Sequence, residues 1–275
     1  MNRVDGKIAI VTGAGGGLGG ATSELLATAG AKVVVADIDL SAAEKTVANI
    51  VATGGQAVAV QQDVSSESDW QRVIDTTLEN FGQLNVLVNN AGMGMSGQCK
   101  NMSLEDWRRI LGVNLDGAFL GIRSAINVMA DNNFSGSIIN ISSASGLVGG
   151  GPVPYSTAKG GMTMLTKSVA NECGRLGYKI RVNTVYPGVI NTSMWITPRN
   201  EEEAKAIPSE AEKNRLRENT FQHIPLGRAA EPIEVAKGVL FLASDDSSYM
   251  TGASLVIDGG YTAVGGQTLP KDLLE

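Results

Sequence analysis

The amino-acid sequence predicts an α/β fold: one domain, residues 1–275, built as a doubly wound parallel sheet of about seven strands with helices on both faces. Three observations predict this class. The chain has 275 residues and is 43% hydrophobic, which is enough to bury a large core. Short β-branched apolar runs alternate with helical patterns, as they do in repeated βαβ units. The 34 glycines fall in short clusters without a fixed period, which indicates tight turns.

Seven apolar runs are predicted strands. They are β-branched and apolar on both faces, which is typical of parallel strands covered by helices on each side. In chain order they span residues 7–11, 32–37, 56–61, 85–90, 137–142, 180–185 and 254–258. Residues spaced three or four apart form helical stripes over 18–30 and 156–174. Long helices are also expected at about 103–131 and 155–176.

One segment departs from this alternation. Residues 192–225 are polar and charged, and Pro198, Pro208 and Pro225 interrupt them. Such a segment is either a solvated loop with a short helix or a lid over a ligand site. We favour a substrate lid because the segment follows the carboxyl end of a strand, which is where ligands bind in open α/β sheets.

Composition and charge exclude several classes of function. The net charge of −6 argues against nucleic-acid binding. Cys99 and Cys173 are the only cysteines, so a disulfide scaffold is excluded and a reducing compartment fits. His223 is the only histidine, and we expect no metal site. Without a signal-peptide pattern or an apolar run long enough to span a membrane, the chain is expected to be cytoplasmic.

Glycines follow the first predicted strand and open the first helix. Gly15, Gly17 and Gly20 match G-x-G-x-x-G by spacing, whereas Gly13, Gly17 and Gly19 match T-G-x-x-x-G-x-G. We prefer the second pattern because it begins directly at the end of the strand. In either case the backbone can turn sharply and bring a helix N-terminus to a pyrophosphate. A tight strand-to-helix turn without a ligand is the alternative.

Acidic residues end the next two predicted strands. Asp37 lies between Ala36 and Ile38, with no basic neighbour. A carboxylate there accepts the ribose hydroxyls of an adenosine and repels a 2′-phosphate, so we expect NAD rather than NADP. Asp63 ends the third strand similarly, and it either contacts the adenine or caps a turn.

Further motifs follow in order along the chain. They are NNAG (89–92), Asn114, Ser142 in NISSASG, YSTAK (155–159) and the Pro-Gly pair at 187–188. With the glycine turn, this set resembles the short-chain dehydrogenase/reductase family over about residues 5–262, and it looks like the members that act on hydroxysteroids and cyclic alcohols. The resemblance implies a Rossmann-type fold. Gly16 is a departure, since relatives commonly carry serine there.

The resemblance implies a catalytic tetrad of Asn114, Ser142, Tyr155 and Lys159. Ser142 precedes Tyr155 by 13 residues, a spacing typical of the family, although Ser143 and Ser145 lie close by. Together with the glycine pattern, it assigns NAD contacts to Gly13, Gly17, Leu18, Gly19, Asp37, Ile38, Asp63, Val64, Asn90, Ala91, Gly92, Tyr155, Lys159, Pro187, Gly188, Ile190 and Thr192.

The spacing of Tyr155 and Lys159 puts both side chains on one helix face. A free phenol titrates near pH ~10, and a nearby ammonium and an oxidised nicotinamide both favour the phenolate. Tyr155 is therefore expected to take the proton of a secondary alcohol while Ser142 holds the substrate oxygen. In the family, the lysine also binds the nicotinamide ribose, and Asn114 links it through water to solvent.

The expected pocket wall is small, apolar or aromatic. It includes residues 146–154, Met93 to Met95 and Trp195. Such a wall favours an uncharged cyclic or steroid-like alcohol or its ketone. One alternative is a 3-oxoacyl reductase of fatty acid synthesis, which Asp37 and the acidic charge disfavour. Another is a non-catalytic NAD-binding regulatory protein, which the complete tetrad disfavours.

Assembly is predicted only from the resemblance. Family members commonly pair the helices at about 103–131 and 155–176 across two-fold axes, so we expect a homotetramer, with a monomer as the alternative. Residues 263–275 either join another interface or fray.

Overall fold

The computed structural model describes residues 3–94, 98–192 and 223–263. Within them lies one sheet of seven parallel strands in the order β3-β2-β1-β4-β5-β6-β7. The strands are β1 (Ile8–Thr12), β2 (Lys32–Asp37), β3 (Gln56–Gln61), β4 (Val86–Asn89), β5 (Gly136–Ile141), β6 (Ile180–Pro187) and β7 (Ser254–Ile257). The predicted doubly wound parallel sheet is confirmed.

The boundaries of β2 and β3 are as predicted, and those of the other strands differ by one or two residues. The largest shift is at β6, which continues to Pro187 rather than ending at 185. It continues because Tyr186 and Pro187 pair with Val256 and Ile257 of β7. The residue at which a strand ends therefore depends on its pairing with the neighbouring strand, which the local apolar pattern does not reveal.

Seven α-helices connect the strands in the described part of the chain. They are α1 (Gly17–Thr28), α2 (Leu40–Ala52), α3 (Glu67–Phe81), α4 (Leu104–Leu111), α5 (Gly117–Asp131), α6 (Val153–Arg175) and α7 (Pro232–Ala243). The helix expected over 103–131 is thus two helices, joined by a π-helical turn at Gly112–Asp116. That turn places Asn114 inside the molecule.

Two apolar layers cover the sheet. On one face, α1, α2 and α7 pack on the strands through residues such as Leu26, Ile50 and Val239. On the other face, α3, α5 and α6 pack through residues such as Trp70 and Met129. Because both faces are covered, the central strands are apolar on both sides, as the sequence pattern predicts.

The strand order reverses direction between β1 and β4. The carboxyl ends of those strands form a crevice in which open α/β sheets bind their ligands. Of the expected lid, only Thr192 and residues 223–225 are described. Met95, Trp195 and residues 264–275 also lie outside the described part of the chain.

Candidate active site

The glycine turn joins β1 to α1 and is tightly packed. Gly13 and Gly17 have positive φ values of 61° and 54°, a backbone region that favours glycine. A Cβ on Gly19 would collide with the carbonyl oxygen of Gly13. A Cβ on Gly20 would meet its nearest atoms at an ordinary 3.6 Å. These contacts support the pattern of Gly13, Gly17 and Gly19 over the alternative that uses Gly20.

The carboxylate of Asp37 lies against this turn at the end of β2. One oxygen accepts the backbone N–H of Gly15 at 2.8 Å, and the other accepts that of Asp39 at 3.0 Å. Next to it, the side chain of Ile38 is 66% exposed and offers an apolar surface at the same edge. The predicted acidic residue therefore lies beside the glycine turn, with an exposed apolar neighbour against which an adenine could pack.

The segment after β4 closes the other side of the turn. The Thr12 hydroxyl accepts the backbone N–H groups of Asn90 and Ala91 at 3.1 and 3.0 Å. The Asn90 amide donates to the carbonyls of Thr12 and Gly13 at 2.9 and 3.0 Å. A Cβ on Gly13 would lie 2.8 Å from the Cα of Ala91, so these two segments touch directly.

The turn has the features that a dinucleotide pyrophosphate requires. Helix α1 has no side-chain cap at Gly16 and no acidic residue in its first turn, so its positive dipole end is not neutralised by its own side chains. A cavity of about 490 Å³ lies against Gly15, Gly16 and Gly17, and Lys45 and Thr192 line it as well. The residues present therefore fit a nicotinamide dinucleotide.

Two predicted NAD contacts, Asp63 and Val64, have structural roles of their own. The Asp63 carboxylate accepts the backbone N–H and the hydroxyl of Ser65, at 2.9 and 2.6 Å, and so forms the turn that was the alternative. The Val64 carbonyl accepts the indole N–H of Trp70 at 2.9 Å. Neither set of hydrogen bonds is itself evidence that Asp63 or Val64 contacts NAD.

The loop after β6 returns to the glycine turn. Pro187 is the last residue of β6, and the N–H of Gly188 donates to Ile257 at 2.9 Å. Ile190 forms an isolated bridge with Ala230. The methyl group of Thr192 lies 3.4 Å from where a Cβ of Gly17 would be. The predicted Pro-Gly segment thus borders the turn that begins near Gly13.

Tyr155 and Lys159 project from the first turns of α6 and are both buried. The Lys159 Nζ lies 5.7 Å from the centre of the Tyr155 ring and donates to the Ile141 carbonyl at 2.8 Å. A Cβ on Gly92 would lie 3.5 Å from the same Nζ. Lysine, tyrosine and the segment after β4 therefore meet in one place.

Asn114 joins this group from the π-helical turn. Its amide donates to the carbonyls of Met93 and Ile110, at 2.9 and 3.0 Å, and its oxygen accepts the Met93 N–H at 3.3 Å. Its oxygen also lies 2.8 Å from where a Cβ of Gly92 would be. Asn114 therefore lies in the break between α4 and α5 and against the segment that follows β4.

The serine beside the tyrosine is not the predicted one. The Ser142 hydroxyl is buried and donates to the backbone carbonyl of Lys159 at 2.8 Å, so it is turned toward α6. Ser143, the next residue, is the one whose side chain hydrogen-bonds to Tyr155. Successive residues at a strand end point to opposite sides, and Ser143 rather than Ser142 therefore faces the phenol.

Comparisons with known proteins agree with this geometry. A family model described as Enoyl-(Acyl carrier protein) reductase matches residues 13–262. The NADP-dependent (R)-specific alcohol dehydrogenase of Lentilactobacillus kefiri is 39% identical, over 95% of this chain and 99% of its own length. The 3-alpha-(or 20-beta)-hydroxysteroid dehydrogenase of Mycobacterium bovis is 42% identical, over 95% and 91%. This chain belongs to the short-chain dehydrogenase/reductase family.

A solved member of the family has the same fold. The crystal structure of a short-chain type dehydrogenase/reductase from Mycobacterium marinum aligns with a TM-score of 0.85 and 35% identity, over 95% of this chain and 97% of that one. The relatives named above are dehydrogenases, which supports oxidoreductase activity with a nicotinamide cofactor. Within residues 3–94, 98–192 and 223–263, no helix has the length and apolar character needed to cross a bilayer.

Burial controls the ionisation of the two central residues of this short-chain dehydrogenase/reductase. Burial raises the pKa of the Tyr155 phenol, and the hydrogen bond from Ser143 opposes that rise. Burial lowers the pKa of Lys159 to about 8, so the side chain keeps most of its positive charge at pH 7. The protein environment of Tyr155 thus favours the neutral phenol, contrary to what the sequence spacing alone suggests.

Proposed function

We propose that this protein is an NAD-dependent oxidoreductase that interconverts a secondary alcohol, apolar and cyclic or steroid-like, and its ketone. The observation that carries the proposal is the buried group at the start of α6. There the Tyr155 phenol hydrogen-bonds to Ser143, and the Lys159 ammonium lies 5.7 Å from the phenol ring. The group borders the crevice that holds the glycine turn.

The chain's own residues move and hold the proton. When the cofactor is bound with its pyrophosphate at the glycine turn, its oxidised nicotinamide would supply a hydride acceptor and a positive charge. Tyr155 removes the hydroxyl proton of the alcohol as its carbon loses hydride, and in ketone reduction it returns that proton. Because burial raises the pKa of the phenol, the lysine charge and the cofactor charge must together stabilise the phenolate.

The neighbouring residues orient this step. Ser143 donates its hydroxyl to the substrate oxygen and holds it within reach of Tyr155. Lys159 binds the nicotinamide ribose while its charge lowers the energy of the phenolate. Asn114, whose amide is held by Met93 and Ile110, links the lysine through water to solvent. In this proposal Ser143 takes the role that the sequence pattern gave to Ser142.

NAD is the proposed cofactor because of Asp37. Its carboxylate lies at the glycine turn, where it accepts ribose hydroxyls and repels a 2′-phosphate. The relative from Lentilactobacillus kefiri is NADP-dependent, so membership of the family does not decide this point.

The substrate proposal has two supports. Residues 146–154 and Met93 have no ionisable side chain, and a pocket wall of this kind favours an uncharged substrate. One relative acts on a hydroxysteroid, in which the reacting hydroxyl is carried by a rigid apolar ring system. The homotetramer and the cytoplasmic location expected from the sequence belong to the same proposal.

The first experiment follows absorbance of reduced cofactor while the protein is mixed with NAD and cyclohexanol, a 3α-hydroxysteroid or an acyclic secondary alcohol. We expect Tyr155→Phe to lower kcat at least about 100-fold while the Kd for NADH changes by no more than a few-fold. Ser143→Ala should lower kcat by a similar order.

Turnover that survives in Tyr155→Phe would eliminate the proposed base. Rapid NADPH-dependent reduction of a 3-oxoacyl thioester, with no action on cyclic alcohols, would instead favour the fatty-acid alternative. Cofactor binding without turnover of any alcohol or ketone would favour a regulatory protein.

A further inference from the structure

We propose that Ser142, Thr163 and Tyr186 form a hydrogen-bonded clasp that holds the Lys159 carbonyl and thereby positions Tyr155 against Ser143. The clasp is defined by these three hydroxyl groups. It rests on the proposed function and adds positioning residues to it, none of which touches the substrate or the cofactor.

The clasp joins two strands to one peptide group of α6. The Lys159 carbonyl accepts the Ser142 hydroxyl at 2.8 Å and the Thr163 hydroxyl at 3.4 Å. The Thr163 hydroxyl in turn accepts the Tyr186 phenol at 2.7 Å. Ser142 follows β5 directly, and Tyr186 belongs to β6, so both strands are tied to the helix one turn after Tyr155.

These hydrogen bonds are not required to satisfy the Lys159 carbonyl. In an α-helix the carbonyl of residue 159 already accepts the N–H of residue 163. Ser142 could therefore lose its hydroxyl without leaving that carbonyl unpaired. What the hydroxyl adds is direction, because hydrogen bonds depend on angle and distance whereas apolar burial does not.

The surroundings leave little freedom for the clasp to adapt. A Cβ on Gly146 would lie 2.7 Å from the Lys159 carbonyl oxygen and 2.9 Å from the Ser142 hydroxyl. Gly146 belongs to the loop that follows Ser143, so the loop, the serine and the helix are in close contact. A small rotation of α6 would therefore change how the phenol meets Ser143.

A second polar row lies three turns after the tyrosine and supports the same docking. Thr166 accepts the Asn140 amide at 2.9 Å and the Thr184 hydroxyl at 2.7 Å. Asn140 and Thr184 are paired neighbours on β5 and β6. Directional contacts thus fix α6 on the same two strands at two successive levels.

The matched variants are Ser142→Ala and Ser137→Ala. Both serines are buried and belong to β5 or its end, but the Ser137 hydroxyl donates at 2.7 Å to Leu242 of α7, away from the site. Tyr186→Phe removes the second arm of the clasp and provides an independent variant if Ser142→Ala folds poorly. Ser142→Cys, whose thiol is a weak donor, should give an intermediate result.

The main measurement is the pH profile of kcat/KM for alcohol oxidation. Loosening the Tyr155–Ser143 contact raises the phenol pKa, so Ser142→Ala and Tyr186→Phe should move the midpoint upward by roughly half a unit to one unit. At pH 7, kcat/KM should fall about three- to tenfold, and the Kd for NADH should stay within about twofold. Ser137→Ala should lose thermal stability without moving the midpoint.

A substrate-free measurement separates the clasp from the proposed function. The ultraviolet difference between the NAD-bound protein and its Tyr155→Phe variant reports the ionisation of that phenol, and its midpoint should shift upward in Ser142→Ala. A protein that oxidises no alcohol would refute the function while this titration still tests the clasp. The clasp is refuted if Ser142→Ala leaves both midpoints unchanged, or if Ser137→Ala shifts them equally.

Discussion

Lys159 is a buried cation at the centre of the site. Its side chain is only 3% exposed, and the ion pairs among the described residues do not include it. Its Nζ donates to the Ile141 carbonyl. Burial of the charge lowers its pKa from 10.5 to about 8. A residue with a central role in the proposed reaction therefore opposes folding at neutral pH.

Lys159→Met should stabilise the cofactor-free protein at pH 7 while abolishing turnover. Below pH 8 the wild-type lysine is charged in both the folded and unfolded states, so its burial cost is complete. Between pH 8 and 10.5 the folded state binds fewer protons, and the cost is relieved as pH rises. The gain in unfolding free energy, at most about 3 kcal/mol, should shrink through that window in denaturant titrations.

Lys167→Met is the control for this prediction, because Lys167 is exposed on the same helix. Its effect on the free energy of unfolding at pH 7 should be small, because an exposed side chain is replaced and no buried charge is removed. If Lys159→Met changes the free energy of unfolding by the same amount at pH 7 and at pH 10, burial of the lysine charge does not limit stability.

The serines illustrate what sequence can decide for single residues. Three serines lie within four positions, at 142, 143 and 145, and spacing from Tyr155 selected the first of them. The structure places Ser143 at the phenol and Ser142 under α6. Because successive residues at a strand end point to opposite sides, a spacing argument that is uncertain by one residue cannot decide between Ser142 and Ser143.

Among the elements, the strands were the most predictable and the interrupted helix the least. All seven strands could be predicted. In β1, β2, β4, β5 and β6, burial on both faces imposes a continuous apolar pattern, whereas the edge strands β3 and β7 are more exposed and were predicted from their β-branched and apolar residues. The break between α4 and α5 was not predicted, because a π-helical turn has no strong signal of its own in composition and the contacts that hold this one are partly distant in sequence. The turn is held by the Asn114 amide on the carbonyls of Ile110 and Met93, the second of which is distant in sequence.

The end of β2 carries a prediction about cofactor choice. Asp37→Asn keeps an oxygen that can accept the Gly15 N–H, but removes the negative charge beside the ribose site. We expect the ratio of kcat/KM with NAD to that with NADP to fall about tenfold or more. Steady-state kinetics with both cofactors, together with Kd values from NADH and NADPH fluorescence, measure this ratio.

Asp39→Asn is the matched control at the same edge. The Asp39 carboxylate caps α2 by accepting the Ala42 N–H at 3.1 Å, and asparagine caps helices equally well. Like Asp37→Asn, this variant removes one negative charge. The charge lies two residues further along the chain, at a residue that is not proposed to contact the ribose. A ratio that falls equally in both variants would show that general charge, rather than the Asp37 contact, sets the preference.

On the scale of the whole molecule, the sheet order explains why the motifs are spread along the chain. The glycine turn and Asp37 come from β1 and β2, whereas Ser143 and Tyr155 come from the β5 and α6 side. The reversal between β1 and β4 brings these two halves to one crevice. Motifs at strand ends could therefore be assigned to a common site from sequence. Trp195 and most of the proposed lid lie outside the described residues.

The helices α5 and α6 also carry large apolar side chains on their outer surfaces. Phe119 is 46% exposed and Met164 is 60% exposed. These are the helices through which we expect a homotetramer to form, and covering such side chains would stabilise it. We predict that sedimentation velocity gives a mass four times that of the chain, and that Met164→Glu shifts the mass toward dimer or monomer by burying a charge.

Val51→Glu distinguishes this interface from a general effect of added charge. Val51 is 55% exposed, but it lies on α2, which packs on the opposite face of the sheet. This variant should keep the wild-type mass at the same protein concentration. If the wild-type chain sediments as a monomer, the apolar surface of α5 and α6 needs another explanation. If Val51→Glu dissociates the assembly as readily as Met164→Glu does, the contact lies elsewhere on the molecule.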